Sequence, residues 1–264
     1  MVEQRSRFFK FLLPVVVGCS YLFLYLPIIV LVLFSFNNAS VAIKWEGFTL
    51  RWYRELLHSP EILNAFRVSL IVAAASTILS LSIGTCFVFA SKWWKRFWLF
   101  NIFYTNVLLP DLILAIGILS IFTFLQIPLG YSSLIVGHTL IGLGFVIPIV
   151  RARFVELDPI LTEASLDLGA THIQTFYKII LPLLMPSLVA AGLLVFTLSL
   201  DDFLISFFCS GPTVETLSVY VYSMVRTGID PTINAISACF LAISSLLVLL
   251  LCYFKIIDQV IPYE

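Results

Sequence analysis

The amino-acid sequence predicts an all-α polytopic membrane protein with six transmembrane helices and both termini in the cytoplasm. Three observations support this fold class. The chain of 264 residues is 61% hydrophobic, has a mean hydropathy of +1.07 and carries only 11% charged residues, values far from those of a soluble domain. The apolar residues fall into six long runs, and the lysines and arginines cluster at alternate ends of these runs. The formal net charge of zero gives no indication of nucleic-acid binding.

Each of the six runs is long enough to be a transmembrane helix, because a span needs roughly 20 residues. The first run follows a basic N-terminus, so a cleaved signal peptide is an alternative for it. We favour an uncleaved helix, because the apolar residues continue to Phe36, which is too far for a signal sequence. The runs cover residues 11–36, 66–90, 98–125, 132–150, 183–208 and 234–254.

The distribution of lysine and arginine predicts the orientation of the chain. Basic residues cluster before the first run, between the second and third, after the fourth, before the fifth and after the sixth. If these segments are cytoplasmic, the opposite side keeps only five of the 15 basic residues, namely Lys44, Arg51, Arg54, Arg67 and Arg226. The excess of positive charge on the inside of a membrane therefore places both termini, and the segment between the fourth and fifth runs, in the cytoplasm.

That cytoplasmic segment has strong local signals between Asp158 and Pro182. Asp158 suits the N-cap of a helix, and Gly169 stands where a helix C-terminus favours a left-handed residue. Thr171 and Gln174 have the spacing of a capping box that opens a second helix. Pro182 is expected to end or kink this second helix. The pattern predicts a helix, a glycine turn and another helix.

Carboxylates inside two of the apolar runs are candidate functional residues, because a charge at membrane depth is costly. Asp111 follows Pro110, which is expected to kink the helix near the middle of the third run. Asp201 and Asp202 lie in the most polar part of the fifth run, where the spacing puts Ser199, Asp202 and Ser206 on one helical face. With a helical rise of about 1.5 Å per residue, straight spans would stagger these groups by roughly 10 Å along the membrane normal. Such a path suits an elongated polycation, although aspartates that only tie helices together are the alternative. We interpret His138 as a hydrogen-bonded packing residue.

The sequence lacks the motifs for nucleotide binding, for metal binding and for a disulfide framework. No glycine-rich loop ends in Gly-Lys-Ser or Gly-Lys-Thr, so the chain is not expected to hydrolyse ATP or to hold a cofactor itself. The five cysteines are scattered without the spacing of a metal site or a disulfide framework. We therefore expect no catalytic residue, no metal site and no cofactor in this chain.

The cytoplasmic stretch resembles the EAA loop of permease subunits of bacterial ABC importers. Every position of that pattern is kept in spacing, and one identity departs, because a serine replaces the second alanine. The resemblance implies the type I ABC importer permease fold and a loop that docks on an ATPase subunit. The residues that carry it are Glu163, Ala164, Ser165, Gly169, Ile179, Leu181 and Pro182.

Other segments are similar to the spermidine/putrescine permease family. They are residues 43–49, Pro110-Asp111, the block 198–203, residues 210–212 and residues 222–225. This resemblance implies import of polyamines and gives five residues a role in the cargo pathway: Trp45, Asp111, Ser199, Asp201 and Asp202. From its position alone, Trp45 is either an aromatic anchor at the membrane interface or a cation–π partner of a passing amine, and we favour the anchor. His172 stands where members of the family can carry an acidic residue, so the resemblance assigns it no role.

The resemblance also implies the assembly. A second, homologous permease subunit would complete the pathway in the bacterial cytoplasmic (inner) membrane. A dimer of ATPase subunits would bind ATP and Mg and hydrolyse the ATP. A periplasmic polyamine-binding protein would deliver the cargo. Within the chain we expect a first helix plus periplasmic segment over 1–65, a five-helix core over 66–255 with the coupling loop at 151–182, and a cytoplasmic tail over 256–264.

Three other functions are alternatives to polyamine import. They are an importer for another cationic or small organic solute, a proton-coupled secondary transporter and an intramembrane aspartyl protease. The chain lacks the Gly-x-Gly-Asp signature of such a protease.

Overall fold

The structure is a computed structural model that describes residues 2–39, 44–91, 98–228 and 231–253. It divides into two units, one formed by Met1–Pro60 and Ser223–Ile243 and the other by Glu61–Tyr222 and Ser244–Glu264. The predicted tail 256–264 and the basic residues Lys92, Lys95, Arg96 and Lys255 lie outside the described residues. The helices, in chain order, are α1 (Val2–Phe34), α2 (Arg51–His58), α3 (Pro60–Ala90), α4 (Trp98–Leu108), α5 (Asp111–Phe124), α6 (Tyr131–Glu156), α7 (Pro159–Asp167), α8 (His172–Thr175), a π-helical turn (Phe176–Ile180), α9 (Leu181–Asp201), α10 (Leu204–Cys209), α11 (Leu217–Thr227) and α12 (Thr232–Tyr253).

The all-α architecture is confirmed, whereas the number of spans is confirmed only in part. Within the described residues four helical stretches are long and apolar enough to cross a membrane, and a fifth is added if the α4–α5 pair counts as one span. The predicted sixth run corresponds to α12, a helix of 22 residues whose stretch Thr232–Leu247 is apolar. The part of the chain that the structure describes therefore supports a multi-pass membrane protein with four or five candidate spans, each an apolar helix as the sequence indicates.

The third predicted run is not a straight helix. The segments Phe100–Leu108 and Asp111–Phe124 meet at an angle of 114°. Pro110 stands at the break and is the N-cap of α5, because a proline has no N–H to continue the α4 hydrogen-bond ladder. The stagger of roughly 10 Å between the aspartates assumed straight spans, and for this run that assumption is wrong.

The fifth predicted run, 183–208, has different bounds in the structure. It begins earlier, since one apolar stretch continues from His172 to Asp201. Pro182, expected to end or kink the second helix of the loop, lies in the first turn of α9, directly after the π-helical turn that interrupts the α-helix. The missing proline N–H falls at this change of helix type, and the helical stretch continues to Asp201. The run also ends earlier, because Asp202 has an extended backbone with ψ 128° before α10 begins.

The unit that contains Glu61–Tyr222 has two hydrophobic clusters. One joins α3, α4, α6 and α9 around Val146 and Leu184, and the other joins α3, α5, α6 and α10 around Leu134 and Ile205. Gly142 allows α6 to approach closely, since a Cβ there would collide with the Ser80 hydroxyl and lie 2.9 Å from a Val195 methyl group. Helix α6 is therefore packed on both sides and gives its polar residues fixed positions.

The unit that contains Met1–Pro60 has its own polar centre at Asn37. The Asn37 side chain donates to the Lys44 carbonyl at 2.7 Å and accepts the Glu46 N–H at 2.8 Å. The buried Trp52 indole donates to the Asn37 carbonyl at 2.7 Å. These bonds hold Lys44, Glu46 and Trp52 against Asn37. Trp45 is 49% exposed beside Phe34.

Candidate functional site

The stretch between α6 and α9 has the local structure that its sequence predicts. Asp158 caps α7, because its side chain accepts the Ile160 N–H at 2.9 Å. At the other end of α7, the Ala170 N–H donates to the Ser165 carbonyl and the Gly169 N–H to the Leu166 carbonyl. These two bonds, with Gly169 at φ +84°, form a Schellman motif. The helix–glycine turn–helix prediction is confirmed for this segment.

The second helix of the loop begins with the predicted capping box. The Thr171 hydroxyl accepts the Gln174 N–H at 3.2 Å, and the Gln174 side-chain oxygen accepts the Thr171 N–H at 2.9 Å. The Ser165 and Thr175 hydroxyls, both buried, lie 2.8 Å apart and connect the two helices across the turn. The serine that departs from the EAA pattern therefore makes a contact that alanine cannot make.

The other residues of the EAA pattern differ in exposure. Glu163 and Ala164 are exposed on α7. Ile179 lies half-buried in the π-helical turn. At the start of α9, Leu181 is half-buried and Pro182 is exposed. The loop also presents apolar side chains to its surroundings, of which Leu168 is 89% exposed. An apolar surface on a loop outside the spans is typical of a protein–protein contact.

The second candidate site lies where α9 gives way to α10. Asp201 is the last residue of α9 and is exposed, whereas the Asp202 side chain is only 10% exposed. The Ser206 N–H donates to Asp202 Oδ2 at 2.9 Å, and the Ser218 hydroxyl donates to the Asp202 carbonyl at 2.7 Å. The broken helix therefore holds Asp202 through both its side chain and its backbone.

Asp111 belongs to the same cluster. It is exposed at the first position of α5. Helix α5 packs against α10, which begins two residues after Asp202, so the two carboxylates belong to neighbouring elements. Acidic groups gathered in this way favour a cation beside them, because like charges repel each other.

Ser199 enters the cluster through a residue that the sequence analysis treated as packing. His138 on α6 is 2% exposed, and its Nδ1 lies 2.7 Å from the Ser199 hydroxyl. Its Nε2 lies 3.3 Å from the Ser206 hydroxyl and 3.7 Å from Asp202 Oδ2. The description of His138 as a hydrogen-bonded buried residue is confirmed, but its link to Asp202 needed the fold and had no signal in the sequence.

The structure thus brings together Asp111, Ser199 and Asp202, with Asp201 next to them on the exposed side. Trp45 belongs to the other unit and is described separately. Across the described residues no group of three or more histidines, cysteines, aspartates or glutamates could hold a metal ion.

Comparison with known proteins identifies the family. Residues 76–261 match the family described as the binding-protein-dependent transport system inner membrane component. The chain belongs to this family. The match covers well over half of the chain and includes both candidate sites.

Individual relatives have similar sequences over nearly their whole length. The chain is 37% identical to the spermidine/putrescine transport system permease protein PotC of Escherichia coli K12, over 87% of this chain and 88% of that protein. It is 34% identical to the putrescine transport system permease protein PotI of the same organism, over 86% and 84%. The resemblance to the polyamine permease family is therefore confirmed, and the relatives are permease subunits.

Solved structures confirm the fold. A bacterial ABC transporter that imports the acidic polysaccharide alginate superimposes with a TM-score of 0.72 at 15% identity, over 97% of each chain. The MetNI methionine ABC transporter matches with a TM-score of 0.55 at 20% identity, over 75% of this chain and 94% of that one. This chain therefore has the fold of ABC importer permeases.

Proposed function

We propose that this chain is the membrane-spanning permease subunit of an ATP-driven importer that carries spermidine and putrescine from the periplasm into the cytoplasm. The observation that carries the choice of cargo is the placement of Asp111, Asp201 and Asp202 at the ends of α5 and α9, where α5 packs against α10. Across the described residues no lysine or arginine forms a salt bridge with Asp111, Asp201 or Asp202. Carboxylates without a cationic partner suit a cationic cargo, because an ammonium group offsets part of their desolvation cost. The relatives named for polyamine transport support the same cargo.

The cargo-pathway residues have different roles in this proposal. Asp111 and Asp202 bind one ammonium group between them, and the exposed Asp201 binds the next group of the chain. Ser199 supplies a hydroxyl beside them. Trp45, with its ring half exposed, attracts the passing amine by cation–π contact.

Membership of the family supports the following assembly and place in the cell. The chain crosses the bacterial inner membrane six times with both termini in the cytoplasm, its core extends over 66–255, and a homologous permease subunit encloses the path with it. A periplasmic binding protein delivers the polyamine; a solved alginate transporter of this fold is described in complex with its periplasmic protein. Two ATPase subunits, which hold ATP and Mg, dock on the coupling loop and switch the cavity between facing out and facing in.

The coupling of cargo to ATP hydrolysis tests this function. We expect the chain, purified with its partner permease and ATPase in lipid nanodiscs, to hydrolyse ATP several-fold faster when polyamine-loaded binding protein is added. Binding protein without polyamine is the control. ATP hydrolysis that does not respond to polyamine would contradict the cargo, and a chain that does not co-purify with an ATPase would contradict the importer.

The orientation has its own test. In a background with the native cysteines replaced, we expect Pro212→Cys to react with a membrane-impermeant thiol reagent from the outside and Thr171→Cys to react only after the membrane is opened. Both residues are exposed, so accessibility within the protein does not limit the reaction. Labelling of Thr171→Cys from the outside would invert the topology and remove the loop from reach of an ATPase.

A further inference from the structure

The buried imidazole of His138 lies at the point where three helices meet. It reaches from α6 to Ser199 on α9 and to Ser206 on α10, with the distances given above. Ser199 in turn lies 3.4 Å from the Ser76 hydroxyl of α3, so a row of buried polar groups crosses the core. Buried polar groups of this kind stabilise one arrangement of a core only when each has a partner.

The surroundings of the ring favour one tautomer. Nε2 faces two oxygen atoms, the Ser206 hydroxyl at 3.3 Å and Asp202 Oδ2 at 3.7 Å. A proton on Nε2 therefore points towards a hydroxyl and a carboxylate, both of which accept hydrogen bonds. Nδ1 is then an acceptor for the Ser199 hydroxyl at 2.7 Å. In this arrangement a shift of α6 or α9 would move the ring relative to the Asp202 carboxylate.

Asp202 needs such support because the helix is broken at its position. Its backbone is held by Ser218, and its Oδ2 is held by the Ser206 N–H. The carboxylate also has the Ser206 hydroxyl and the Ile205 N–H as partners, so its hydrogen bonds come from α10. The ring of His138 on α6 lies 3.7 Å from the same oxygen, beyond hydrogen-bond distance, and limits the space into which the carboxylate can turn.

The cargo itself has no room beside the ring. The free space lined by His138, Ser199 and Asp202 is about 10 Å³. A cavity needs roughly 10–15 Å³ to hold one water molecule, so an alkylammonium group does not fit. His138 must therefore act through Asp202 and not by contact with the polyamine.

We propose that His138 is a positioning residue that orients the Asp202 carboxylate for the cationic cargo. This inference rests on the proposed role of Asp202 and assigns a role to a residue outside the cargo pathway. The neutral ring donates from Nε2 to the Ser206 hydroxyl and lies 3.7 Å from the carboxylate oxygen, so a shift of α6 relative to α9 would change the position of the carboxylate.

Two conservative variants of His138 test the proposal. In His138→Gln the amide nitrogen takes the place of Nε2, whereas in His138→Asn it takes the place of Nδ1 and cannot reach Asp202. We expect specific polyamine uptake, measured per inserted protein at saturating binding protein, to stay within about twofold of wild type for Gln and to fall roughly tenfold for Asn, because the buried Ser206 hydroxyl beside the carboxylate then loses its partner. A residue that serves packing alone would respond alike to both changes.

A double-mutant cycle decides whether the effect passes through Asp202. We expect His138→Asn combined with Asp202→Asn to transport no worse than Asp202→Asn alone. Ser133→Ala is the matched control, since Ser133 makes another buried α6–α10 hydrogen bond, to the Cys209 carbonyl at 2.7 Å, away from Asp202. This variant should lower the amount of inserted protein and keep specific uptake.

The outcomes separate this inference from the proposed function. If Asp202→Asn alone keeps normal specific uptake, the cargo role of Asp202 is wrong and the inference is wrong with it. If Asp202→Asn lowers uptake but His138→Asn does not, or if the two losses add, only the positioning role is overturned.

Discussion

The coupling loop and the carboxylate cluster are built by opposite means. The hydrogen bond that closes the loop joins Ser165 and Thr175, which are 10 residues apart, and the caps span two or three residues. The cluster depends on contacts between residues 61 positions apart, as for His138 and Ser199, and 123 apart, as for Ser76 and Ser199. Local sequence is therefore sufficient to form the loop, whereas the cluster exists only after the helices have packed.

The two regions also differ in how much they expose. The loop presents Glu163, Ala164 and Leu168 to its surroundings, which suits a surface that must bind and release a partner. The cluster hides His138 and most of Asp202, so each lost partner leaves a buried polar group unsatisfied. Backbone conformation should therefore control the loop, and charge should control the cluster.

The largest effect on the loop is expected from the glycine turn. Gly169 has φ +84°, and a Cβ at this position would meet no atom within 4 Å, so any penalty for a side chain comes from the backbone alone. Gly169→Val puts a β-branched residue in the left-handed region, which costs roughly 1–2 kcal/mol or more. We expect uptake and polyamine-stimulated ATP hydrolysis to fall together, roughly tenfold, while the protein still inserts.

Gly169→Asn is the matched control for this change. Asparagine adds a side chain of similar size but tolerates the left-handed conformation at a helix C-terminus. Its uptake should remain within about twofold of wild type. Equal losses in the two variants would mean that the side chain blocks docking, and normal transport in Gly169→Val would remove the coupling role of the loop.

The same contrast explains what the sequence could and could not predict. The caps at Asp158 and Thr171 and the turn at Gly169 were predictable, because each depends on neighbours in the chain. Pro110 signalled a kink, but a bend of 114° depends on how α5 packs against α10, and no local rule contains that angle. Pro182 indicated an end or a kink of the second helix, but the π-helical turn just before it had no sequence signal.

The carboxylate cluster was predictable in its members but not in its geometry. Aspartates in apolar runs indicate function wherever they occur, so Asp111 and Asp202 could be selected from the sequence. The spacing of Ser199, Asp202 and Ser206 suggested one helical face, yet the helix breaks at Asp202 and these residues are brought together by His138 instead. A histidine 61 residues away could not be paired with Ser199 without the fold.

The smallest effect is expected at the contact between the two helices of the loop. Ser165→Ala restores the residue of the EAA pattern and removes one neutral hydrogen bond, worth about 0.5–1.5 kcal/mol. Thr175 keeps its bond to the Thr171 carbonyl at 3.1 Å, so the loop should stay folded. Hydrogen exchange should show protection of the Thr171–Thr175 amides lowered a few-fold, with uptake nearly unchanged. A large loss of uptake would mean that this hydroxyl pair transmits force and does more than stabilise the turn.

The central claim is that the carboxylates at the end of α9 carry a cationic cargo by their charge. Specific polyamine uptake, per inserted protein, in Asp111→Asn, Asp201→Asn and Asp202→Asn tests it most directly, because asparagine keeps size and hydrogen bonding but loses the charge. We expect each variant to lose roughly tenfold, with spermidine affected at least as strongly as the shorter putrescine and with polyamine binding to the periplasmic protein unchanged. Normal specific uptake in all three variants would contradict the claim and leave these aspartates as ties between helices.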